Sequence, residues 1–410
     1  MILDELVVLS GSPRRRELLE QIGCRVTVAP SPASEPRPAA GESPEAYALR
    51  TAQAKWSERS DPSDPRLRLS ADTVVALDGR ILGKPSDVHE AESMLRDLSG
   101  REHEVLTAVC VGRSQIELHW VSRARVAFAS LDAPAMRVLM ADTPTQYAGA
   151  YAIQSAAAPY SRLLEGEIGT VIGLPVHELL ARCAALADHQ PGPDTSLWRH
   201  IDRAAQLAAA RLIAVSKLQP EQRVATLTEA GCRTLGENYL EGLRERRARF
   251  GTTVELHYIG ALQTRKIPDI VAQADWIHGL CRLEEARKAD QAEQKLNVRR
   301  RWLMQVNVGH EEQKGGVAPA DAPSLWQQVR QQHPQLQLCG LMTIGPHYDE
   351  PELSAPHFAA LRQMRDQIAA ADPACRELSM GMSADWHIAL RYGATMLRLG
   401  TLLFGTRTPQ

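Results

Sequence analysis

Two groups of residues in this chain have types and spacings that could do chemistry, and both point to phosphate. The first is Ser10-Gly11-Ser12-Pro13-Arg14-Arg15-Arg16, which follows the apolar run Leu6–Leu9. Pro13 suits a first helical position and Ser12 an N-cap, so the segment predicts a helix N-terminus with free backbone donors and arginines beside it. Such a terminus can hold a phosphate chain. The same pattern also fits an ordinary strand–helix corner with a solvated basic face. Asp72-Thr73 stand ahead of the run Val74–Leu77, which places a carboxylate at a strand edge, and Gly83-Lys84-Pro85 add a cation in a loop. Taken singly, Asp72 also reads as a turn cap and Lys84 as a solvated charge.

The second group centres on Lys217, at the end of the run Arg211–Lys217. At the mouth of a barrel, desolvation would make its amine available to a carbonyl. The alternative is a strand-end lysine in solvent. Ser379–Ser383 and Arg398–Thr401 supply glycines, hydroxyls and backbone N–H groups near the C-terminus, where phosphate sites of eight-stranded barrels are built. A lysine facing a phosphate cup describes a pyridoxal 5′-phosphate (PLP) site.

The elements that must position these residues divide into two sets. Asp188–Ser196, with two prolines, one glycine and no apolar anchor, predicts a linker between a domain over 1–187 and a second over 197–410. In the first, Asp78-Gly79 between Thr73–Leu77 and Arg80–Leu82 predicts a hairpin, and helices are expected over Pro44–Arg59, Val88–Leu98 and Val176–Ala187. The class is α/β or α+β. In the second, eight short apolar runs alternate with amphipathic stretches between Leu212 and Leu399, which predicts a (β/α)8 barrel. Polar and glycine residues gather at the C-terminal ends of those runs, among them Ser216-Lys217, Gly236-Glu237-Asn238, Met342-Thr343 and Gly400-Thr401.

Bulk properties are those of a soluble globular protein: 23% charged residues, 44% hydrophobic residues and a formal net charge of −2. The charge gives no support to a nucleic-acid or membrane-surface role. Seven dispersed cysteines without a C-x-x-C pair read as reduced thiols. Met1–Glu5 is acidic and lacks the basic start of a signal peptide, and no run of about 18 apolar residues occurs. A cytoplasmic protein is expected.

From about residue 5 to 186, the order Ser10–Leu19, Ala71–Val75, Gly83–Pro85, Gly149–Gln154 and Gly173–Pro175 resembles the Maf family of nucleoside triphosphate pyrophosphatases. The resemblance implies hydrolysis between the α- and β-phosphates, giving the monophosphate and pyrophosphate, assisted by Mg²⁺ or Mn²⁺. It makes Asp72 the group that activates water, directly or through a metal, and Arg14, Thr73 and Gln154 the specificity positions of the dTTP/UTP branch. Ser12, Lys55 and Lys84 would face the triphosphate, and Glu35 would join Asp72 as a metal ligand, although Ser34-Glu35-Pro36 departs from the family's acidic pair. Ser155 replaces a common glycine.

Residues 200–407 resemble the YggS/PROSC-type PLP homeostasis proteins, which share the alanine racemase barrel. The match rests on Ala214–Lys217, Gly236–Tyr239, His257–Gly260, Gly340–Met342, Ser379–Ser383 and Arg398–Thr401. It implies a Schiff base at Lys217, cofactor contact at Asn238, phosphate contacts from Ser383, Gly400 and Thr401, and Arg398 near the pyridine nitrogen. Apo-forms of PLP-dependent enzymes are implied partners. Arg265, Ala384 and His387 depart from the usual residues, and the helix Leu197–Ala210 is shorter than usual. The alternatives are an active racemase or decarboxylase in the second domain, for which Cys339 and Tyr258 are poor bases because both read as strand-interior, or a degenerate regulatory nucleotide module in the first.

Overall fold

The computed structural model describes residues 3–31, 36–57, 66–142, 144–186, 192–311 and 314–405. Glu35 and the first four residues of the expected linker, 188–191, lie outside them. The chain forms two compact units, 1–187 and 188–410. Among the described residues no helix is long and apolar enough to cross a membrane.

The first unit begins with β1 (Glu5–Val8), α1 (Pro13–Gln21), β2 (Arg25–Val28) and α2 (Pro44–Ser57). It continues through β3 (Leu67–Leu77), β4 (Arg80–Leu82), α3 (Val88–Leu98), β5 (Glu102–Gly112) and β6 (Ile116–Phe128). α4 (Ala133–Ala141), β7 (Ser161–Glu165), α5 (Ile168–Ile172) and α6 (Val176–Leu186) complete it. The seven strands form one mixed sheet in the order β2-β1-β3-β5-β6-β7, with β4 on β3. β1 lies parallel to β2 and β3, and the remaining pairs are antiparallel.

The hairpin forms where Asp78-Gly79 predicts it, with both residues at positive φ. The strand before it is longer than the apolar run, however. β3 starts at Leu67, so Asp72 sits in mid-strand, opposite Ala108 of β5, and not at a strand edge. Residues 66–71 are buried or nearly so on both faces, which hides the alternation that would mark a strand. Alternate β3 residues serve two cores. Val74 and Ala76 pack under α2 with Tyr47, Ala52 and Trp56, and Val75 and Leu77 pack with Met94, Leu95 and Leu98 of α3.

In the second unit α7 (Thr195–Leu207) precedes the barrel, its N-terminus capped by Asp194, whose carboxylate accepts from the Ser196 and Leu197 N–H groups. Strands and helices then alternate as β8 (Arg211–Val215), α8 (Glu221–Glu229), β9 (Thr234–Glu237), α9 (Leu240–Phe250), β10 (Glu255–Tyr258) and α10 (Ile267–Gln273). They continue as β11 (Trp276–Leu280), α11 (Leu283–Leu296), β12 (Arg301–Gln305), α12 (Ala322–Gln332), β13 (Gln337–Met342) and α13 (Ala355–Ala371). β14 (Glu377–Ser379), α14 (Trp386–Arg391), β15 (Met396–Leu399) and α15 (Thr401–Phe404) end the chain's described part. The eight strands close into a parallel barrel, as the eight-run pattern predicts, with β15 pairing β8.

Candidate functional site

In the first unit, one cavity of about 490 Å³ lies where β3 runs on past the end of β1. Ser12, Arg14, Lys55, Asp72, Thr73 and Lys84 all line it, so residues from four separate segments of sequence meet there. α2 crosses β3 and delivers Lys55, whose Nζ lies 2.6 Å from Asp72 Oδ1. Arg14 is half-buried over the Tyr147 ring, 4.6 Å from its centroid. Burial pushes its proton affinity down, against the pull of Tyr147 and Glu17. Lys84 is exposed at the rim. Ser12 occupies the N-cap position of α1 but makes no side-chain cap, so its hydroxyl is not spent on the helix.

Gln154 does not join them: it is exposed, on the turn that follows Ile153, and does not line the cavity. Glu35 is outside the described residues. Gly149 has a positive φ of 65°, and a Cβ there would come within 2.9 Å of Val75 Cγ2. That close approach brings the Tyr147–Tyr151 turn onto β3, so Tyr147 and Tyr151 wall the cavity.

Sequence reasoning missed the residue that organises this floor. Arg15, 7% exposed, donates to Ser10 Oγ at 2.6 Å, Gly173 O at 2.8 Å and Thr73 Oγ1 at 3.2 Å. Thr73 Oγ1 is 2.9 Å from Thr107 Oγ1, which donates to Thr170 O at 2.7 Å. Of three consecutive arginines the middle one is thus structural, and only the chain fold distinguishes it from its neighbours. Behind Tyr151, His103 Nε2 meets its hydroxyl at 2.6 Å. Burial pushes His103 down to about 4 and Tyr151 well above the usual phenol range.

In the second unit, Lys217, Asn238, Ser383, Arg398, Gly400 and Thr401 line one cavity of about 330 Å³ at the C-terminal ends of the strands. The loop carrying Lys217 is pinned from below. Ser216 Oγ donates to Glu237 Oε1 at 2.6 Å, and Arg246 donates to the same oxygen at 3.3 Å and to Gln219 O at 2.9 Å. Burial pushes the Glu237 carboxyl up, opposed by Ser216 and Arg246. Ser383 Oγ accepts from Gly400 N–H and Leu402 N–H, both at 3.3 Å, which forms the small-residue cup expected of a phosphate site. Arg398 is buried; it donates to Ser379 Oγ and, at 2.6 Å, to Thr343 O. Burial lowers its proton affinity to about 10, with Asp385 opposing the shift. His347 and Tyr348, from the loop after β13, close one wall and had no signal in the sequence.

These donors fit PLP. Lys217 supplies an amine, Ser383 with the Gly400–Leu402 amides supplies a cradle, and Asn238 Oδ1 is a buried acceptor with no hydrogen-bond partner among the described residues. A divalent cation finds less in the first unit. No group of three or more His, Cys, Asp or Glu among the described residues could hold a metal. Asp72 and Glu90 are the carboxylates lining that cavity, and Glu90 is engaged at 2.7 Å by Ser86 N–H and Oγ. Mg²⁺ held by one carboxylate plus substrate phosphates and waters needs no more than Asp72.

Known proteins match the two parts of the chain separately. Residues 5–186 match the model of Maf-like proteins, and residues 195–408 match that of the alanine racemase N-terminal domain. A dTTP/UTP pyrophosphatase of Anaeromyxobacter dehalogenans is 45% identical over 181 residues, 43% of this chain and 91% of that protein. A pyridoxal phosphate homeostasis protein of Aquifex aeolicus is 38% identical over 200 residues, 48% of this chain and 87% of that protein. Among solved structures, PipY of Synechococcus elongatus with PLP bound is 30% identical at a TM-score of 0.45, over 55% of this chain and all of that one.

Proposed function

Because the chain belongs to the Maf-like family through its first unit and to the alanine racemase N-terminal domain family through its second, we propose that it is bifunctional. The first unit hydrolyses nucleoside triphosphates, with dTTP and UTP as preferred substrates, to the monophosphate and pyrophosphate. The second holds PLP on Lys217 as a carrier and does not turn it over. The observation that supports the first activity is the Lys55–Asp72 pair facing a cavity edged by Arg14 and Lys84.

The chemistry follows from those groups. A triphosphate is a polyanion, so Arg14, Lys84 and Lys55 supply compensating charge, and the Ser12 hydroxyl and the α1 N-terminus add donors. Asp72 accepts the proton of an attacking water as oxygen adds to phosphorus and the bond between the α- and β-phosphates breaks. Pyrophosphate leaves with the bonding electron pair, its charge met by the same cations. A divalent cation held by Asp72 would supply further positive charge to the phosphates. Tyr147 stacked on Arg14 offers an aromatic wall for a base. Gln154, which the resemblance makes a specificity position, must reach the base from its exposed turn.

At the other site, PLP when bound supplies an aldehyde, a pyridine ring and a phosphate. Lys217 would hold the aldehyde, the Ser383 cup would hold the phosphate, and Arg398 would lie on the side of the ring nitrogen. A cation there would keep the nitrogen unprotonated and weaken the electron sink, which would suit storage over turnover. Apo-forms of PLP-dependent enzymes are the recipients such a carrier would serve.

Incubation of the chain with dTTP, UTP and a methylated GTP, with Mg²⁺, tests the first reading. Monophosphate and pyrophosphate from dTTP and UTP are expected, lost in Asp72→Asn; release of orthophosphate, or turnover in that variant, would overturn it. Borohydride reduction of the PLP-loaded chain should place the label on Lys217, and a label elsewhere would overturn the second.

A further inference from the structure

The barrel has a second opening at the end opposite the mouth, lined by the first residues of its strands. Arg211 of β8, Glu255 of β10, Trp276 of β11, Arg301 of β12 and Glu377 of β14 surround a recess of about 710 Å³, with Arg330 and Arg376 at its edge. An adjoining recess shares Glu255 and Arg301 and adds Arg247, Arg299 and Arg300. Seven arginines and no lysine line the two together. Guanidinium forks match phosphate oxygens two at a time, where an ammonium offers only a point charge.

The acids on the same surface do not use this charge up. Glu255 is shared by Arg211 and Arg301 at 3.2 Å each, and Asp275 by Arg247 and Arg300 at 2.6 and 3.6 Å. Arg330 and Arg299 pair with Asp372 and Glu293 at 2.8 and 3.7 Å, so that with Glu377 seven arginines meet five acids. Both guanidinium groups also lie over the Trp276 ring, 4.9 and 5.1 Å from its centroid, which fixes their position. Arg376 is exposed and makes no side-chain hydrogen bond or ion pair among the described residues.

From Glu255 a chain of polar side chains runs up the barrel axis. His257 Nε2 is 3.0 Å from Glu255 Oε1, His257 Nδ1 is 2.9 Å from His278 Nε2, and His278 Nδ1 is 3.0 Å from Ser379 Oγ, which accepts from Arg398. Every member but Glu255 is at most 4% exposed. Valence fixes its direction. Arginine only donates and an ionised carboxylate only accepts. Although burial opposes ionisation, His257 and Arg211 hold Glu255 down at about 2. So His257 donates from Nε2 to Glu255 and accepts at Nδ1 from His278, which in turn accepts from the Ser379 hydroxyl. Both histidines are neutral, in keeping with the downward push that burial exerts on each.

We propose that the floor of the barrel binds a multivalent phosphate anion, and that its occupancy is transmitted along Glu255–His257–His278–Ser379 to Arg398 at the cofactor mouth. An anion that engages Arg211 and Arg301 takes counter-charge from Glu255. The carboxylate then draws more strongly on the chain of donors, and each bond polarises the next. Ser379 Oγ becomes the better acceptor and holds Arg398 away from the pyridine ring. The transmission rests on the PLP reading of the mouth; the binding does not.

Inorganic pyrophosphate, the anion that the proposed reaction of the first unit releases, is the probe. Calorimetric titration of the full chain without PLP should show two classes of site, one weakened by Lys84→Ala. The other should weaken at least about tenfold in Arg376→Glu and in Arg301→Gln. The Arg376 side chain makes no hydrogen bond or ion pair among the described residues, and its backbone bonds survive substitution, so its variant reports on binding and not on folding. In the PLP-loaded chain, saturating pyrophosphate should speed PLP release about fivefold, the low end of allosteric coupling. Ser379→Ala should keep the anion affinity and abolish that acceleration. A single class of site untouched by Arg301→Gln and Arg376→Glu would overturn the anion site, and PLP release indifferent to pyrophosphate would overturn the transmission. A failure of the PLP reading is separate: the chain would stay colourless with PLP.

Discussion

Lys55 Nζ and Asp72 Oδ1 stand 2.6 Å apart where α2 crosses β3, with side-chain exposures of 12% and 9%. Seventeen positions separate them in sequence, and only the packing of Ala52 and Trp56 onto Val74 and Ala76 makes them neighbours. The ammonium fixes which carboxylate oxygen turns toward the cavity. Lys55→Met should therefore lower kcat for dTTP by about 100-fold, in the range of a mispositioned general base, with a smaller change in KM. A variant that changes only KM would reassign Lys55 to substrate binding.

Arg15 is a different kind of residue from the arginine beside it. Its guanidinium joins Ser10, Thr73 and Gly173, so it ties the β1–α1 turn to β3 and to the segment before α6. Arg15→Leu leaves two buried acceptors and the half-buried Thr73 hydroxyl without their donor. The cost should be about 3 kcal/mol, by the value of hydrogen bonds to a charged group. Denaturant unfolding followed on the first unit measures it, and a loss under about 1 kcal/mol would mean the acceptors find other donors.

The barrel was legible in the sequence because eight short, largely apolar runs recur and polar or glycine residues gather near where they end. Lys217, Ser383 and Gly400 could be placed at the strand ends on that pattern alone. The floor of the same barrel was not legible. Glu255, His257, Trp276 and His278 break the apolar runs and look like interruptions; closure of the sheet is what turns them inward to meet. In the first unit the order of motifs found Arg14, Asp72 and Lys84. It misplaced Asp72 at a strand edge because Leu67–Ala71 has no alternation to read. The Arg15 network depends on Gly173, 158 positions away, and no local pattern carries that distance.

His103 gives the first unit a pH dependence. Burial against Phe128 and Tyr151 holds its imidazole neutral, with a proton affinity of about 4 against an ordinary 6.5. The unfolded chain therefore binds a proton that the folded chain refuses, and stability falls as pH drops from 6.5 toward 4. The full window is worth about 3 kcal/mol. Unfolding of the first unit at pH 7 and pH 4.5 should show most of this loss, and His103→Gln should flatten the difference. An equal slope in that variant would assign the effect to other groups.

Lys217 and Ser383 hold different ends of the same ligand, so their variants should fail in different ways. Lys217→Ala removes the amine that gives the loaded chain its yellow absorption band, while the Ser383 cup remains to hold the phosphate. Weak, colourless PLP binding is the expected result, read by equilibrium dialysis beside absorbance. Ser383→Ala removes the hydroxyl that Gly400 N–H and Leu402 N–H now share at 3.3 Å. Those amides stay in place to meet a phosphate, so the band should persist while affinity drops about tenfold, the worth of one charge-assisted hydrogen bond. If Ser383→Ala abolished the band and Lys217→Ala kept it, the lysine and the cup would have exchanged roles, and the polarity of the cofactor in the mouth would be reversed.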